Sequence, residues 1–279
     1  MPRTTPHTTN AREVATRALI AAAERFPNLP PSTLDTAPLD ARDARLALAI
    51  HRTVLQRWIT LEHLLDRYLR RPCDTLEPAL RAVLLAAAAQ LVFMDRLPAH
   101  AVVDESVTLA RRLVRPKAAG LVNAVLRKVS SLIEHHVHGP PWTPAGDRLP
   151  LDDGFIPLAD AALHDPADVA NHLAVATSHP PGLVQHWLDT FGHEATAQLC
   201  LHGVTNPPTI VAGEPGFGVS DDAPVEPHAE AGFVIWQGGQ DDLSRFVAGR
   251  PDRRVQDPAS AMPVRATGGL HIDLAIDYC

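Results

Sequence analysis

Lysine, cysteine and aromatic residues are all scarce in this chain of 279 residues. The two lysines are Lys117 and Lys128, so arginine carries almost all of the basic charge. The three cysteines, Cys73, Cys200 and Cys279, are far apart and form no C-x-x-C pair, which argues against a disulfide scaffold and favours a reducing compartment. The four tryptophans are spread along the chain, a pattern that favours packing roles over a base-stacking platform.

A membrane-spanning run is also missing from the sequence. The longest apolar stretch, around Val83 to Met94, is too short to cross a bilayer and contains Gln90. The first ten residues have no apolar core, which excludes a secretory signal there. We therefore expect a soluble, cytoplasmic protein that does not associate with a membrane.

The charged residues are unevenly divided between the two halves of the chain. Residues 1–138 carry a net charge of +6, whereas residues 139–279 carry −13. A polyanionic partner is therefore expected to meet the first half. The alternative, that the basic residues are ordinary solvated helix faces, stays open at this point.

Apolar periodicity predicts six helices joined by short loops within residues 11–138. Asp40 can cap one of them, and the helix after Thr75 is apolar almost all round, which predicts the central, buried helix. The other predicted helices start near Asn10, Thr60, Pro98 and Ala118. The sequence therefore predicts an all-α six-helix bundle, preceded by a disordered arm at residues 1–10.

The amino-acid composition changes after residue 138. A Pro/Gly-rich linker with a small hairpin, turning at Asp153-Gly154, is predicted for residues 139–165. A small α+β domain is predicted for residues 166–260. Its predicted elements are a helix at Pro166 to Ala176, helices on either side of Gly192, and strands at Thr209 to Ala212 and Phe233 to Gln237. Residues 261–279 predict the start of a further domain, with Leu274 to Asp277 as the first strand of a parallel sheet.

Two stretches of the helical part resemble the NusB family. They are Leu97-Pro98-Ala99-His100 with Val103-Asp104-Glu105-Ser106-Val107, and Gly120-Leu121-Val122-Asn123-Ala124-Val125-Leu126-Arg127-Lys128. NusB proteins are helical bundles that bind RNA in transcription antitermination. The resemblance implies a NusB-like RNA-binding domain at residues 11–138.

Later motifs resemble small-subunit rRNA cytosine-5 methyltransferases, in which a NusB-like domain precedes a small connecting domain. The motifs are Ser178-His179-Pro180 with Trp187 and Phe191-Gly192, then Asn206-Pro207-Pro208-Thr209, then Val255-Gln256-Asp257-Pro258-Ala259-Ser260. Two departures are Gly182, where the family favours tryptophan, and Ile210 to Gly213, where an arginine is expected. Both departures predict weaker RNA binding by the connecting domain.

The resemblance implies that this chain is the rRNA-recognition part of an S-adenosylmethionine-dependent enzyme. It also implies that a Rossmann-like methyltransferase domain begins near residue 261. Its cofactor-binding glycine-rich turn and catalytic cysteines would come after Cys279, so no catalytic or cofactor-binding residue is expected in this chain, which should be inactive alone. Cys279 has no base or second cysteine near it in sequence, which disfavours it as a nucleophile. The implied partners are small-subunit rRNA and a downstream catalytic domain or a ribosomal or transcription protein.

RNA contacts are expected from arginines of the first half, because guanidinium groups pair with phosphates and stack on unpaired bases. The candidates are Arg3, Arg12, Arg17, Arg52, Arg57 and Arg112. The His135-His136-x-His138 run has no carboxylate or cysteine partner at ligand spacing, so no metal is expected. A stand-alone NusB-type antitermination factor, or a helical scaffold without nucleic acid, stays open as an alternative function.

Overall fold

The computed structural model describes residues 10–29, 34–213, 223–269 and 271. The predicted arm, apart from Asn10, and the predicted strand at Leu274 to Asp277 lie outside these residues. In the part of the chain that is described, no helix combines the length and apolar composition needed to cross a membrane.

The six predicted helices are confirmed. They are α1 (Ala11–Ala23), α2 (Ala41–Gln56), α3 (Trp58–Asp66), α4 (Pro78–Phe93), α5 (Ala99–Leu113) and α6 (Ala118–Leu132), with a short 3-10 helix (Cys73–Thr75) before α4. Helix α4 contacts all five of the others. Leu84, Leu85 and Ala87 on it are fully buried, as its apolar circumference predicts.

Side-chain caps set the beginnings of the first two helices. The Asn10 side chain accepts a hydrogen bond from the Glu13 amide, and the Asp40 side chain accepts from the amides of Arg42 and Asp43. The third helix, predicted to start near Thr60, already begins at Trp58, so Thr60 lies within it and is not its cap. The buried Thr60 hydroxyl instead donates to the carbonyl oxygen of Val175, 2.6 Å away, and this partner is distant in sequence.

A small sheet and two helices follow the bundle. Strands β1 (Val137–His138), β2 (Arg148–Leu151) and β3 (Gly154–Pro157) form an antiparallel sheet in the order β1-β3-β2. The predicted hairpin is confirmed, and it consists of β2 and β3. Its turn is Asp152-Asp153, because Gly154 already belongs to β3. Strand β1 was not predicted. Helices α7 (Val169–Thr177) and α8 (Pro181–His202) come next, and α8 is kinked at Gly192, whose φ is 77°.

The contacts within the chain divide it into two units, residues 1–205 and 206–279. The second unit contains an antiparallel sheet in the order β5-β6-β4-β7. Its elements are β4 (Thr209–Gly213), β5 (Val225–Pro227), β6 (Phe233–Trp236), α9 (Gln240–Val247), β7 (Arg253–Val255) and α10 (Pro258–Ala266). The predicted connecting domain at residues 166–260 therefore spans both units: α7 and α8 pack in the first, where the Ser178 hydroxyl oxygen accepts a hydrogen bond from the Ile59 amide.

Candidate nucleic-acid interface

Two arginines meet on one buried carboxylate between α1 and α5. Arg17 Nη2 lies 2.9 Å from Glu13 Oε1, and Arg112 Nη2 lies 3.0 Å from Glu13 Oε2. The Glu13 side chain is 6% exposed, whereas those of Arg17 and Arg112 are 60% and 34% exposed. Because two cations share one anion, a net positive charge remains at this surface.

The local sequence explains how these arginines are placed. Glu13 and Arg17 are four residues apart on α1, so they share one helix face. Arg112 lies in the last turn of α5, where a cation also interacts favourably with the helix dipole. The half-buried Arg12 donates from Nε to Gln90 Oε1 at 2.7 Å, which joins α1 to α4. We name Arg12, Arg17 and Arg112 the arginine cluster.

Arg52 is exposed on α2, a helix that packs against α1. Arg42 and Arg45 of the same helix are exposed as well. Arg3 lies outside the described residues. The structure thus presents Arg17, Arg52 and Arg112 to solvent.

Arg57 lies inside the protein, contrary to the expectation that it faces RNA. It is 4% exposed, its Nη2 donates to the Pro150 carbonyl oxygen at 3.0 Å, and its guanidinium carbon is 4.8 Å from the centre of the Phe93 ring. Burial lowers the pKa of Arg57 to about 10. In this position Arg57 joins the bundle to β2, and we exclude it from the interface.

The sequence did not indicate the residues that organise the cluster. Glu13 was one of many acids on a helix surface, and Gln90 was a polar interruption of an apolar run. Gln90 tolerates burial because its side-chain amide donates to the Ala86 carbonyl while its oxygen accepts from Arg12. A polar residue at a position that helical periodicity assigns to the core was the signal available in the sequence.

The two cysteines within the described residues are unsuited to nucleophilic chemistry. Cys73 and Cys200 are free thiols and fully buried. Burial raises the pKa of both, and the carboxylates of Glu62 and Asp66 raise that of Cys73 further. Since the thiolate is the reactive form, neither thiol is poised for nucleophilic attack.

We expect Cys73 and Cys200 to resist Ellman's reagent in the folded protein and to react readily in urea. Burial blocks access and suppresses the thiolate, and both effects disappear on unfolding. Peptide mass mapping after a timed exposure separates their labelling from that of Cys279. Labelling of Cys73 in native buffer at the rate seen in urea would contradict its placement.

Comparison with known proteins identifies the first part of the chain. The model of the NusB family matches residues 9–131. These residues form a NusB-family domain. Their boundaries agree with the six-helix bundle, α1 to α6, and include the arginine cluster and Arg52.

Similarity extends beyond the NusB-family domain. The chain is 26% identical over 195 residues to the probable ribosomal RNA small subunit methyltransferase B of Bacillus subtilis (strain 168), covering 69% of this chain and 38% of the relative. It is 36% identical over 206 residues to ribosomal RNA small subunit methyltransferase B of Pseudomonas syringae pv. tomato, covering 72% of this chain and 38% of the relative. The chain therefore matches less than two fifths of the length of these relatives.

A solved structure is similar in fold over most of the chain. The crystal structure of PH0851 matches 92% of this chain and 55% of its own, with 14% sequence identity and a TM-score of 0.53. At this identity the likeness shows the fold alone. It agrees with a helical NusB-like region followed by a smaller region that contains an antiparallel sheet.

Proposed function

We propose that the NusB-family domain binds RNA, and that the chain is the rRNA-recognition part of a cytoplasmic, S-adenosylmethionine-dependent rRNA (cytosine-5) methyltransferase acting on the small subunit. The observation that carries the proposal is the arginine cluster, in which two solvent-facing guanidinium groups share one buried carboxylate. The names of the relatives support the substrate class, since one is called a ribosomal RNA small subunit methyltransferase and the other a probable one.

The physics of the surface suits a phosphate backbone. Each arginine offers several donors in a planar fork that matches phosphate oxygens. Glu13 restrains Arg17 and Arg112 without cancelling both charges, so less side-chain entropy is lost when a phosphate binds. Arg52 on the neighbouring helix adds a further cation for the same polyanion.

Methyl transfer itself is not assigned to the described residues. S-adenosylmethionine would supply the methyl group in the whole enzyme, and a cysteine thiolate would have to attack the base. The buried Cys73 and Cys200, with raised pKa values, do not fit that role. What these residues contribute is binding and orientation of the RNA.

A stand-alone antitermination factor is the less favoured alternative. Such a factor would need the NusB-family domain at residues 9–131 and no more. The matches of 195 and 206 residues to the methyltransferases are longer than that domain. They favour recognition of rRNA ahead of a catalytic domain.

The test is the salt dependence of RNA binding, measured by fluorescence anisotropy with a labelled single-stranded RNA. We expect the double variant Arg17→Gln/Arg52→Gln to bind more weakly than the parent chain. The slope of log K against log salt is negative, and its magnitude should fall by about 0.7 for each lost phosphate contact. Arg112 is left unchanged so that the buried Glu13 keeps a partner.

The matched control is Arg250→Gln/Arg254→Gln, which removes the same charge from two exposed arginines of the second unit. Its slope should equal that of the parent chain. Equal losses in both double variants would show that net charge alone drives binding, and would refute an interface at the arginine cluster. If the parent chain binds no RNA even at low salt, a scaffold function without nucleic acid is favoured.

A further inference from the structure

Three side chains able to bind a metal ion converge next to the end of α6, outside the arginine cluster. One ligand atom from each of Asp95, His136 and His138 lies within 4.8 Å of the other two. All three line a cleft of about 950 Å³. The sequence suggested no carboxylate partner for these histidines, because Asp95 lies far earlier in the chain, between α4 and α5.

The backbone brings the two histidines to the same side. His138 lies in β1 and pairs with Gly154 of β3, while His136 comes two residues earlier. The amide of Glu134 donates to the Pro157 carbonyl oxygen at 3.0 Å, which holds the segment leading into β1 against β3. The ring centres of His136 and His138 are 6.1 Å apart. The sheet therefore holds His138 directly, and His136 lies in the segment that enters β1.

Each histidine has one ring nitrogen committed to an oxygen acceptor. Nε2 of His136 lies 2.8 Å from the carbonyl oxygen of Val92, near the end of α4. Nδ1 of His138 lies 2.9 Å from Asp153 Oδ1. A carbonyl or carboxylate oxygen can only accept, so these nitrogens carry the protons of the neutral rings. Nδ1 of His136 and Nε2 of His138 then keep the lone pairs that a metal requires.

This arrangement is typical of metal-binding histidines, whose second nitrogen usually donates to a carbonyl or a carboxylate. Either contact alone would suit an ordinary surface histidine. Here both contacts occur together, so each imidazole is held in the tautomer that leaves one nitrogen free for a metal. Asp95 adds a carboxylate as the third ligand. We propose that Asp95, His136 and His138 bind one divalent transition-metal ion of the Zn²⁺ class, with Asp153 positioning His138.

The geometry requires a modest closure. Zn–N and Zn–O bonds of about 2.0–2.1 Å in a tetrahedral site place ligand atoms about 3.3 Å apart. From separations of up to 4.8 Å, rotation of the exposed Asp95 side chain and small rotations of the two imidazole rings supply the closure. Three protein ligands leave a fourth position for water. The ion would clamp the α4–α5 connection to β1, and it would stabilise the fold because the unfolded chain lacks the site.

The experiment uses the full chain after treatment with a chelator. Co²⁺ alone is titrated and followed by its visible ligand-field absorption, and Zn²⁺ alone is titrated by calorimetry. We expect saturation at one ion per chain, displacement of Co²⁺ by Zn²⁺, and a higher unfolding temperature with Zn²⁺. Asp95→Asn and His138→Ala should each weaken binding at least about tenfold, and Asp153→Asn should weaken it by about 10–100-fold.

Two matched controls separate this site from adventitious binding. His135→Ala removes the exposed neighbour in the same histidine run, and His186→Ala removes an exposed histidine of α8. Both should leave the affinity within about twofold of the parent chain. The proposal is overturned if no one-to-one binding occurs, if Asp95→Asn binds as the parent does, or if His135→Ala weakens binding as much as His138→Ala. Circular dichroism of each variant without metal checks that the fold is retained.

Discussion

Arg81→Ala is expected to lower the free energy of unfolding by about 3–5 kcal/mol, because it leaves a carboxylate unpaired inside the bundle. Arg81 on α4 is 5% exposed, and its Nε lies 2.5 Å from Glu62 Oε1 on α3. Its guanidinium carbon lies 5.2 Å and 5.1 Å from the ring centres of Phe26 and Trp58, which stack on each other. Loss of Arg81 removes the ion pair and the cation–π contacts together.

The measurement is urea unfolding followed by far-ultraviolet circular dichroism, which reports on the helical unit. Arg111→Ala, at an exposed position of α5, is the control and should change stability by less than about 0.5 kcal/mol. The double variant Arg81→Met/Glu62→Gln should recover part of the loss, since no charge is then buried alone. A loss below about 1 kcal/mol for Arg81→Ala would contradict a buried, paired arginine.

Gly154→Ala is expected to destabilise the first unit by about 3 kcal/mol, through a steric overlap that neither strand can relieve easily. A Cβ atom at this position would collide with the carbonyl group of Val137 on β1. The obstacle is backbone, so rotation of a side chain cannot relieve it. The β1–β3 pairing, which places His138 opposite Gly154, has to open.

Gly120→Ala provides the opposite control in the same unit. Gly120 is exposed on α6, and an added Cβ would meet nothing within 4 Å. Because alanine favours the helix over glycine, this variant should gain up to about 1 kcal/mol. Equal stability changes in the two variants, measured by thermal and urea unfolding, would exclude close contact of β1 with Gly154.

Local pattern was sufficient for the elements of the bundle. Helices α1 to α6 follow from the repeat of apolar side chains and, for α2, from the cap at Asp40, both of which act within a few residues. The all-round apolar composition of α4 likewise identified it as the central helix. The hairpin of β2 and β3 and the kink of α8 at Gly192 also follow from short-range signals.

Partners that are distant in sequence were decided by the tertiary structure alone. Arg57 is indistinguishable from Arg52 by residue type, yet packing against Phe93 and Pro150 buries it. A helix was predicted to start near Thr60, but the buried hydroxyl of Thr60 instead donates to the carbonyl oxygen of Val175 on α7.

The same holds for the two candidate sites. The sequence identified Arg17 and Arg112 as cations, and the fold joined them through Glu13. The sequence showed a run of histidines without a nearby carboxylate, and in the fold the α4–α5 connection places Asp95 beside those histidines. The periodicity of apolar residues determines which face of a helix or strand is buried. The position of a charged or metal-binding side chain depends instead on which elements pack together, and that packing is set by contacts spread over the whole unit.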